Sequence, residues 1–204
     1  MNKQTKIIGA LLGAALATAS GVAVAESTYG YQSSGTGTVQ ANAQVNLKVT
    51  VPKLILLRVG SSNTVDEISW AGTASWTALP AAIANGDNQA ADWNGAAPSF
   101  NFTTTNNALA VYAWHNNGSG GGAALTFTGT AITPSGGPAL SDITASNTAG
   151  TPAHPGGTLG TATTVNLTSN TLYSGTWTYT LGGTPASWLA GVYQGSVLYT
   201  ATTL

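Results

Sequence analysis

The stretch TVQANAQVNLKVTV, residues 38–51, decides the fold class, because apolar and polar residues alternate along it without interruption. The apolar positions would share one face of an extended chain: Val39, Ala41, Ala43, Val45, Leu47, Val49 and Val51. A helix lacks this period of two, so the stretch predicts a β-strand. It would reach about 45 Å at about 3.3 Å per residue, whereas strands usually have about 5 to 6 residues. We therefore expect part of it to serve a sheet other than that of its own chain.

The first 25 residues have the features of a secretory signal peptide. Lys3 and Lys6 precede an uncharged apolar stretch at residues 7–24, and Ala23-Val24-Ala25 has the small-x-small form of a cleavage site. Small and polar residues interrupt the apolar stretch and no basic cluster follows it, which disfavours a membrane helix. We expect an exported protein that begins at Glu26, has no membrane span after cleavage, and belongs to the extracellular cell surface.

The composition narrows the class of protein further. Charged residues make up 5% of the chain, against about 25% in typical domains. Hydrophobic residues make up 43% and the formal net charge is −1, which is the opposite of a disordered chain. Beyond the signal peptide the cations are Lys48, Lys53 and Arg58, too few for a nucleic-acid partner. The absence of cysteine excludes disulfides and thiolate metal sites.

Short strand patterns separated by turn-rich pieces cover residues 52–204. Strands are predicted at residues 54–59, 67–70, 99–104, 108–115, 124–129, 163–167, 175–181 and 191–203. Residues 130–160 are predicted to form a loop, and short helical turns are predicted at 79–84 and 186–190. This pattern is typical of an all-β sandwich. We expect one β-sandwich domain at residues 52–204, preceded by an N-terminal extension at residues 26–51.

The last predicted strand places Tyr193, Val197 and Tyr199 in one phase. A strand at the end of a chain is easily left unpaired on one side, and its edge is then open to another chain. An alternating segment near one end and an edge strand near the other are what strand addition between subunits requires.

At these residues the sequence resembles fimbrial subunits. VNLKVTVPKLILL, residues 45–57, and AGVYQGSVLYTATTL, residues 190–204, are similar to the ends of cysteine-free pilins of the alternate chaperone–usher class, the colonisation-factor type. The resemblance is limited to these two ends. It implies an immunoglobulin-like sandwich that lacks one strand, which the next subunit supplies. It also implies a periplasmic chaperone in the open groove and an outer-membrane usher.

The resemblance assigns roles to particular residues. The donor face would be the seven apolar residues of the alternating stretch, and the edge that contacts the chaperone would include Tyr193, Val197 and Tyr199. The implied function is that of a structural subunit of an extracellular filament, a fimbria or pilus, which is assembled by donor-strand exchange and supports adhesion or biofilm formation. The other interpretation of residues 39–51 is one long, bent edge strand in a monomeric sandwich.

The tryptophans permit a different function. Trp76 and Trp93 lie in turn-rich surroundings and are candidate contacts to a host or matrix glycan, since aromatic rings can stack on sugars. The alternative to a filament is therefore a monomeric secreted carbohydrate-binding β-sandwich. Trp114 and Trp177 lie inside strand patterns and are expected in the core.

The sequence offers no acid–base set, so we expect no enzyme and no cofactor. His115 stands at a predicted strand end and His154 in a loop, and neither has a second histidine or a carboxylate at ligand spacing. Asp66 and Glu67 are adjacent, and adjacent strand residues point to opposite faces, so they do not suit glycoside hydrolysis.

One acidic stretch leaves a metal site open. The sequence GDNQAADWNG, residues 86–95, carries Asp87 and Asp92 beside two asparagines, which are oxygen ligands of the kind that calcium binds. The EF-hand order is absent, and clusters of Asn, Asp and Gly usually form turns. We expect no metal, with calcium at Asp87 and Asp92 as the open alternative.

Overall fold

Residues 28–76, 85–118 and 122–204 are described by a computed structural model of the chain. The chain divides into two units, Met1–Val51 and Pro52–Leu204. The signal peptide predicted at residues 1–25 and the helical turn predicted at residues 79–84 lie outside the described residues. In the part of the chain that the structure describes, no helix is long and apolar enough to cross a membrane.

The described part of the second unit consists of antiparallel strands. They are β1 (Ile55–Val59), β2 (Ser69–Ser75), β3 (Ser99–Thr105), β4 (Ala108–His115), β5 (Ala123–Thr133), β6 (Ile143–Gly150), β7 (Val165–Leu167), β8 (Tyr173–Leu181) and β9 (Gln194–Thr203). One sheet has the order β1-β4-β8-β6, a second has the order β7-β5-β9, and β2 pairs with β3. Two short 3-10 helices lie at Leu140–Asp142 and Pro185–Ser187, the second of them beside the helical turn predicted at residues 186–190.

The alternation of side chains explains why the sheets pack together. In β4, every second residue from Leu109 to His115 is buried, and β5 buries Ala123 and Leu125 in the same way. These apolar residues meet in one core with Trp177, which is fully buried in β8. Burial of a large apolar side chain contributes about 1.5–3 kcal/mol, so the four-stranded and three-stranded sheets are held face to face. The predicted all-β sandwich is confirmed.

Strand β6 contradicts the loop that the sequence predicts over residues 130–160. Strand β5 continues to Thr133, and β6 follows at Ile143–Gly150. Only Ile143 and Ala145 of β6 are buried, and among the strands of the described chain β6 pairs with β8 alone, as an edge strand. An edge strand that buries so few side chains contains few apolar residues. Its sequence is therefore as polar as that of a loop.

The two tryptophans expected in the core differ in position. Trp177 lies in the core as predicted, and its Nε1–H donates to the Pro152 carbonyl at 2.9 Å. The prediction for Trp114 is wrong. Because Ala113 and His115 take the inward positions of β4, Trp114 faces outward, opposite Leu56 of β1, and is half-buried.

The described part of the first unit, residues 28–51, contains no strand, and its side chains are exposed. The Thr28 hydroxyl donates to the Asn42 carbonyl at 2.7 Å and accepts from the Asn42 N–H at 2.8 Å, so the chain turns back on itself between these residues. Further on, the Gln44 amide donates to Asn46 Oδ1 at 2.9 Å, as alternate side chains do on one face of an extended chain.

Candidate strand-binding site

Strand β9 is hydrogen-bonded along one edge only. It pairs with β5, with Tyr199 opposite Phe127, and no strand of the described chain pairs with its other edge. It has 10 residues, none of them charged. Proteins usually protect long edge strands with charges, bulges or a covering segment, because an open edge pairs readily with another chain. In the described chain, the backbone groups on the outer edge of β9 therefore have no partner strand.

Strand β6, the edge strand of the other sheet, is protected in ways that β9 is not. Its pairing with β8 shifts between Asn147 and Ala149, and Thr144 forms a bridge with Thr158 of the following loop. A bulge bends a strand and disturbs the row of hydrogen-bonding groups at its edge. The corresponding irregularity of β9 lies near its first residue, Gln194, so most of its edge is regular.

Strand β1 supplies a second open edge next to β9. It pairs with β4 on one side, from Ile55 opposite His115 to Val59 opposite Val111. The Cα atoms of β1 and β9 approach within 8 Å, but no hydrogen-bonded pairing joins the two strands in the described chain. The sandwich is therefore not closed by hydrogen bonds along the line between these strands.

Side chains along this line face the core but remain half-buried. They are Ile55, Leu57 and Val59 of β1, and Val197, Tyr199, Ala201 and Thr203 of β9. The inward positions of the central strand β4 are far more enclosed, with Val111 0% and Ala113 2% exposed. These β1 and β9 side chains therefore keep apolar surface that a further strand could cover.

The inward side of β9 is held by a hydrogen-bonded network around Tyr199. His154 Nδ1–H donates to the Gly156 carbonyl at 2.6 Å, so Nε2 accepts from the Tyr199 hydroxyl at 2.7 Å. The Tyr179 hydroxyl lies 2.9 Å from that of Tyr199 and donates to it. Burial lowers the pKa of His154 and raises the pKa of Tyr179 to about 12, so the network is uncharged at neutral pH.

The structure brings together part of the edge predicted from the sequence. Val197 and Tyr199 lie in β9 with inward side chains, whereas Tyr193 precedes the strand and donates its hydroxyl hydrogen to the Leu189 carbonyl at 2.5 Å. The pattern did not predict that β1 forms the opposite wall. In the sequence ILLRV is an apolar run broken by Arg58, and its alternating burial is visible only in the packed sandwich.

The predicted donor face lies in the first unit and is exposed. The exposed fractions are 50% for Val39, 80% for Val45, 88% for Leu47, 86% for Val49 and 73% for Val51. Ala41 and Ala43 are exposed as well. Residues 38–51 belong to no strand of the described chain, so this apolar face has no partner sheet there. An exposed row of large apolar side chains is typical of a surface that binds another molecule.

The glycan candidates Trp76 and Trp93 are not joined by any contact among the described residues. Trp93 is 60% exposed and its Nε1–H donates to the Ala96 carbonyl at 2.7 Å. Trp76 is half-buried directly after β2, beside residues that the structure does not describe. Glycan binding at these two residues stays a prediction.

The remaining candidate residues have local structural partners. His115 is fully buried, its Nε2–H donates to the Leu167 carbonyl at 3.1 Å, and its Nδ1 accepts from Asn117 N–H at 3.2 Å. Asp66 accepts hydrogen bonds from the Ser61 N–H and hydroxyl, and the first of these holds the pKa of Asp66 below its usual value. Both side chains thus stabilise local structure.

The possible calcium ligands Asp87 and Asp92 are exposed in the loop before β3. Asn94 Oδ1 accepts a hydrogen bond from Ala96 N–H at 3.0 Å, which is a turn contact. Among residues 28–76, 85–118 and 122–204, no group of three or more His, Cys, Asp or Glu side chains is arranged to hold a metal ion.

Comparison with protein-family models, curated proteins and solved structures gives no match to this chain. The features of this chain that bear on function are the β1 and β9 edges and the exposed residues 38–51.

Proposed function

We propose that this chain is the structural subunit of an extracellular filament of the fimbrial type, assembled by donor-strand exchange. The alternating segment of one copy enters between β1 and β9 of the next copy and completes an immunoglobulin-like sandwich. The observation that carries the proposal is the uncharged edge of β9, which has no partner strand in the described chain and lies beside half-buried core residues. The same chain has an exposed apolar face on residues 39–51 that fits such an edge.

Strand insertion would pair the open strand edges and bury the exposed apolar face of residues 39–51 at the same time. The backbone groups of the segment would pair with the open edges, while its alternate side chains would cover the half-buried residues of β1 and β9. Each buried Val or Leu contributes about 1.5–3 kcal/mol, offset by the entropy of ordering the segment. Because the donor and acceptor surfaces differ, the contact is head-to-tail and propagates into a filament.

The gap has to widen before a strand can enter. Neighbouring strands lie about 4.8 Å apart, so a strand between β1 and β9 needs about 9.6 Å. The Cα atoms of β1 and β9 approach within 8 Å, so the strands have to separate by at least about 1.6 Å where they converge. This opening would make assembly of the purified chain slow, and a periplasmic chaperone of the kind that the resemblance implies would speed it by holding the groove open.

The test compares the mature chain, residues 26–204, with a variant that lacks residues 39–51. Negative-stain electron microscopy and unboiled SDS gels should reveal thin filaments and a resistant ladder for the first protein and monomers for the second. A matched control replaces Gln40, Gln44 and Asn46 of the polar face by Ser and should still polymerise. Filaments formed by the deletion variant, or a uniform monomer formed by the intact mature chain, would overturn the proposal.

A further inference from the structure

The alternating segment is longer than the edge that it would extend. Residues 38–51 are 14 residues, or about 45 Å when extended, whereas the 10 residues of β9 span about 33 Å. About four residues of the segment therefore have no place along β9. The fold of the first unit indicates which end of the segment stays outside.

Backbone groups in the early part of the segment already have hydrogen-bond partners within the first unit. Both the N–H and the carbonyl of Asn42 are bonded to the Thr28 hydroxyl, at 2.8 and 2.7 Å. Gly30 lies so close to Gln40 that a Cβ on residue 30 would come within 2.8 Å of the Gln40 carbonyl oxygen. Residues 28–30 thus run beside residues 40–42, and Asn42 cannot pair with an acceptor strand while the turn is intact.

The later part of the segment matches the acceptor edge in number and exposure. Strand β9 has four half-buried inward positions, at residues 197, 199, 201 and 203. Beyond Asn42 the segment has four large apolar side chains, at residues 45, 47, 49 and 51, which are 73–88% exposed. Val39 is 50% exposed and is therefore already partly covered.

We infer that residues 43–51 are the inserted strand and that residues 28–42 remain outside the acceptor as a folded turn, closed by Thr28 and Asn42. The partner is a second copy of this chain, so the inference rests on the proposed function. It assigns the turn the role of a stop that sets how far the donor enters. An inserted segment of nine residues, about 30 Å long, then matches the edge of β9.

Four single variants of the mature chain test this division. Leu47→Asp and Val49→Asp should abolish the SDS-resistant ladder and the filaments, because each places a charge against the acceptor core. Val39→Asp and Ala41→Asp, which add the same charge to the same face, should change the yield of filaments by less than twofold. All four positions are exposed in the monomer, so thermal unfolding of the monomeric variants should match that of the parent chain.

Hydrogen exchange on assembled filaments provides a second measurement. Backbone amides of residues 43–51 should exchange at least 100-fold more slowly than in the monomer, while those of residues 38–41 should change little. Loss of filaments in all four variants would overturn the assignment of residues 43–51 as the inserted part and leave donor-strand exchange intact. Equal protection of residues 38–41 and 43–51 would do the same. Filaments in all four variants would contradict donor-strand exchange itself, as would the absence of filaments from the parent chain.

Discussion

Asn116 Oδ1 accepts a hydrogen bond from the Leu54 N–H at 2.7 Å, and the Asn116 N–H donates to the Leu54 carbonyl at 3.2 Å. These bonds extend the pairing of β1 and β4 by one residue beyond Ile55 and His115. Asn116 Nδ2 also donates to the Pro52 carbonyl at 2.8 Å. The chain is thereby fixed at residues 52–54, directly after the alternating segment.

Asn116→Ala should lower the free energy of unfolding by about 2 kcal/mol, because it removes two side-chain hydrogen bonds at about 1 kcal/mol each. Urea denaturation measures this change. The control is Asn166→Ala in β7, where the exposed asparagine makes no side-chain hydrogen bond in the described chain, and the expected change is within about 0.5 kcal/mol. Equal losses in the two variants would show that the contacts of Asn116 contribute nothing specific.

Tyr199→Phe should destabilise the sandwich by about 1–3 kcal/mol. The hydroxyl joins His154 and Tyr179, so its removal leaves a buried acceptor and a buried donor without their partner. Tyr193→Phe is the matched control, since its hydroxyl bonds to the carbonyl of Leu189 at an exposed position, and it should cost less than about 1 kcal/mol. A larger loss for Tyr193→Phe than for Tyr199→Phe in urea denaturation would contradict the network.

The stability of the protein should fall as the pH drops below about 6.5, the pKa of an unfolded histidine. Burial lowers the pKa of His154 in the folded state, so in this window the unfolded chain takes up a proton first and the free energy of unfolding decreases. The neighbouring Tyr179 and Tyr199 stay neutral there, because burial raises the pKa of both.

His154→Gln should lose this pH dependence between about pH 6.5 and 5, whatever its absolute stability. Thermal unfolding at several pH values measures both chains. A variant that keeps the slope of the parent chain would assign the effect to another group. Asp66 is not that group. Its pKa is lowered in the folded state, so its contribution to stability is fully present above the unfolded pKa of about 3.9. That contribution is lost only as the pH falls below this value, outside the window of His154.

The sequence predicts those elements in which apolar residues alternate over a whole strand. Strand β4 occurs at the predicted residues, Ala108–His115, because four buried positions follow one another with a period of two. Strand β6 buries only Ile143 and Ala145, at one end, so its short alternation within polar residues predicts a loop. The phase of β4 also determines that Trp114 faces outward, which strand propensity alone does not reveal.

The candidate site depends on contacts between distant parts of the chain. Alternation predicts which side chains of β9 share a face, but the order of strands in the sheets decides which edges remain open. No local pattern places β1 beside β9. In the same way, the bond between His154 and Tyr199 joins residues 45 positions apart and requires the packed sandwich.

A synthetic peptide of residues 43–51, AQVNLKVTV, should stabilise a mature chain that carries Leu47→Asp and Val49→Asp and so cannot donate its own segment. Ligand at 100 times Kd adds about 2.7 kcal/mol to the free energy of unfolding, which raises Tm by about 5–10 °C in a domain of this size. A peptide with the same two aspartates should give no shift. Because β1 and β9 have to separate first, the shift should develop slowly after mixing. A shift with both peptides would mean that binding does not use the apolar face.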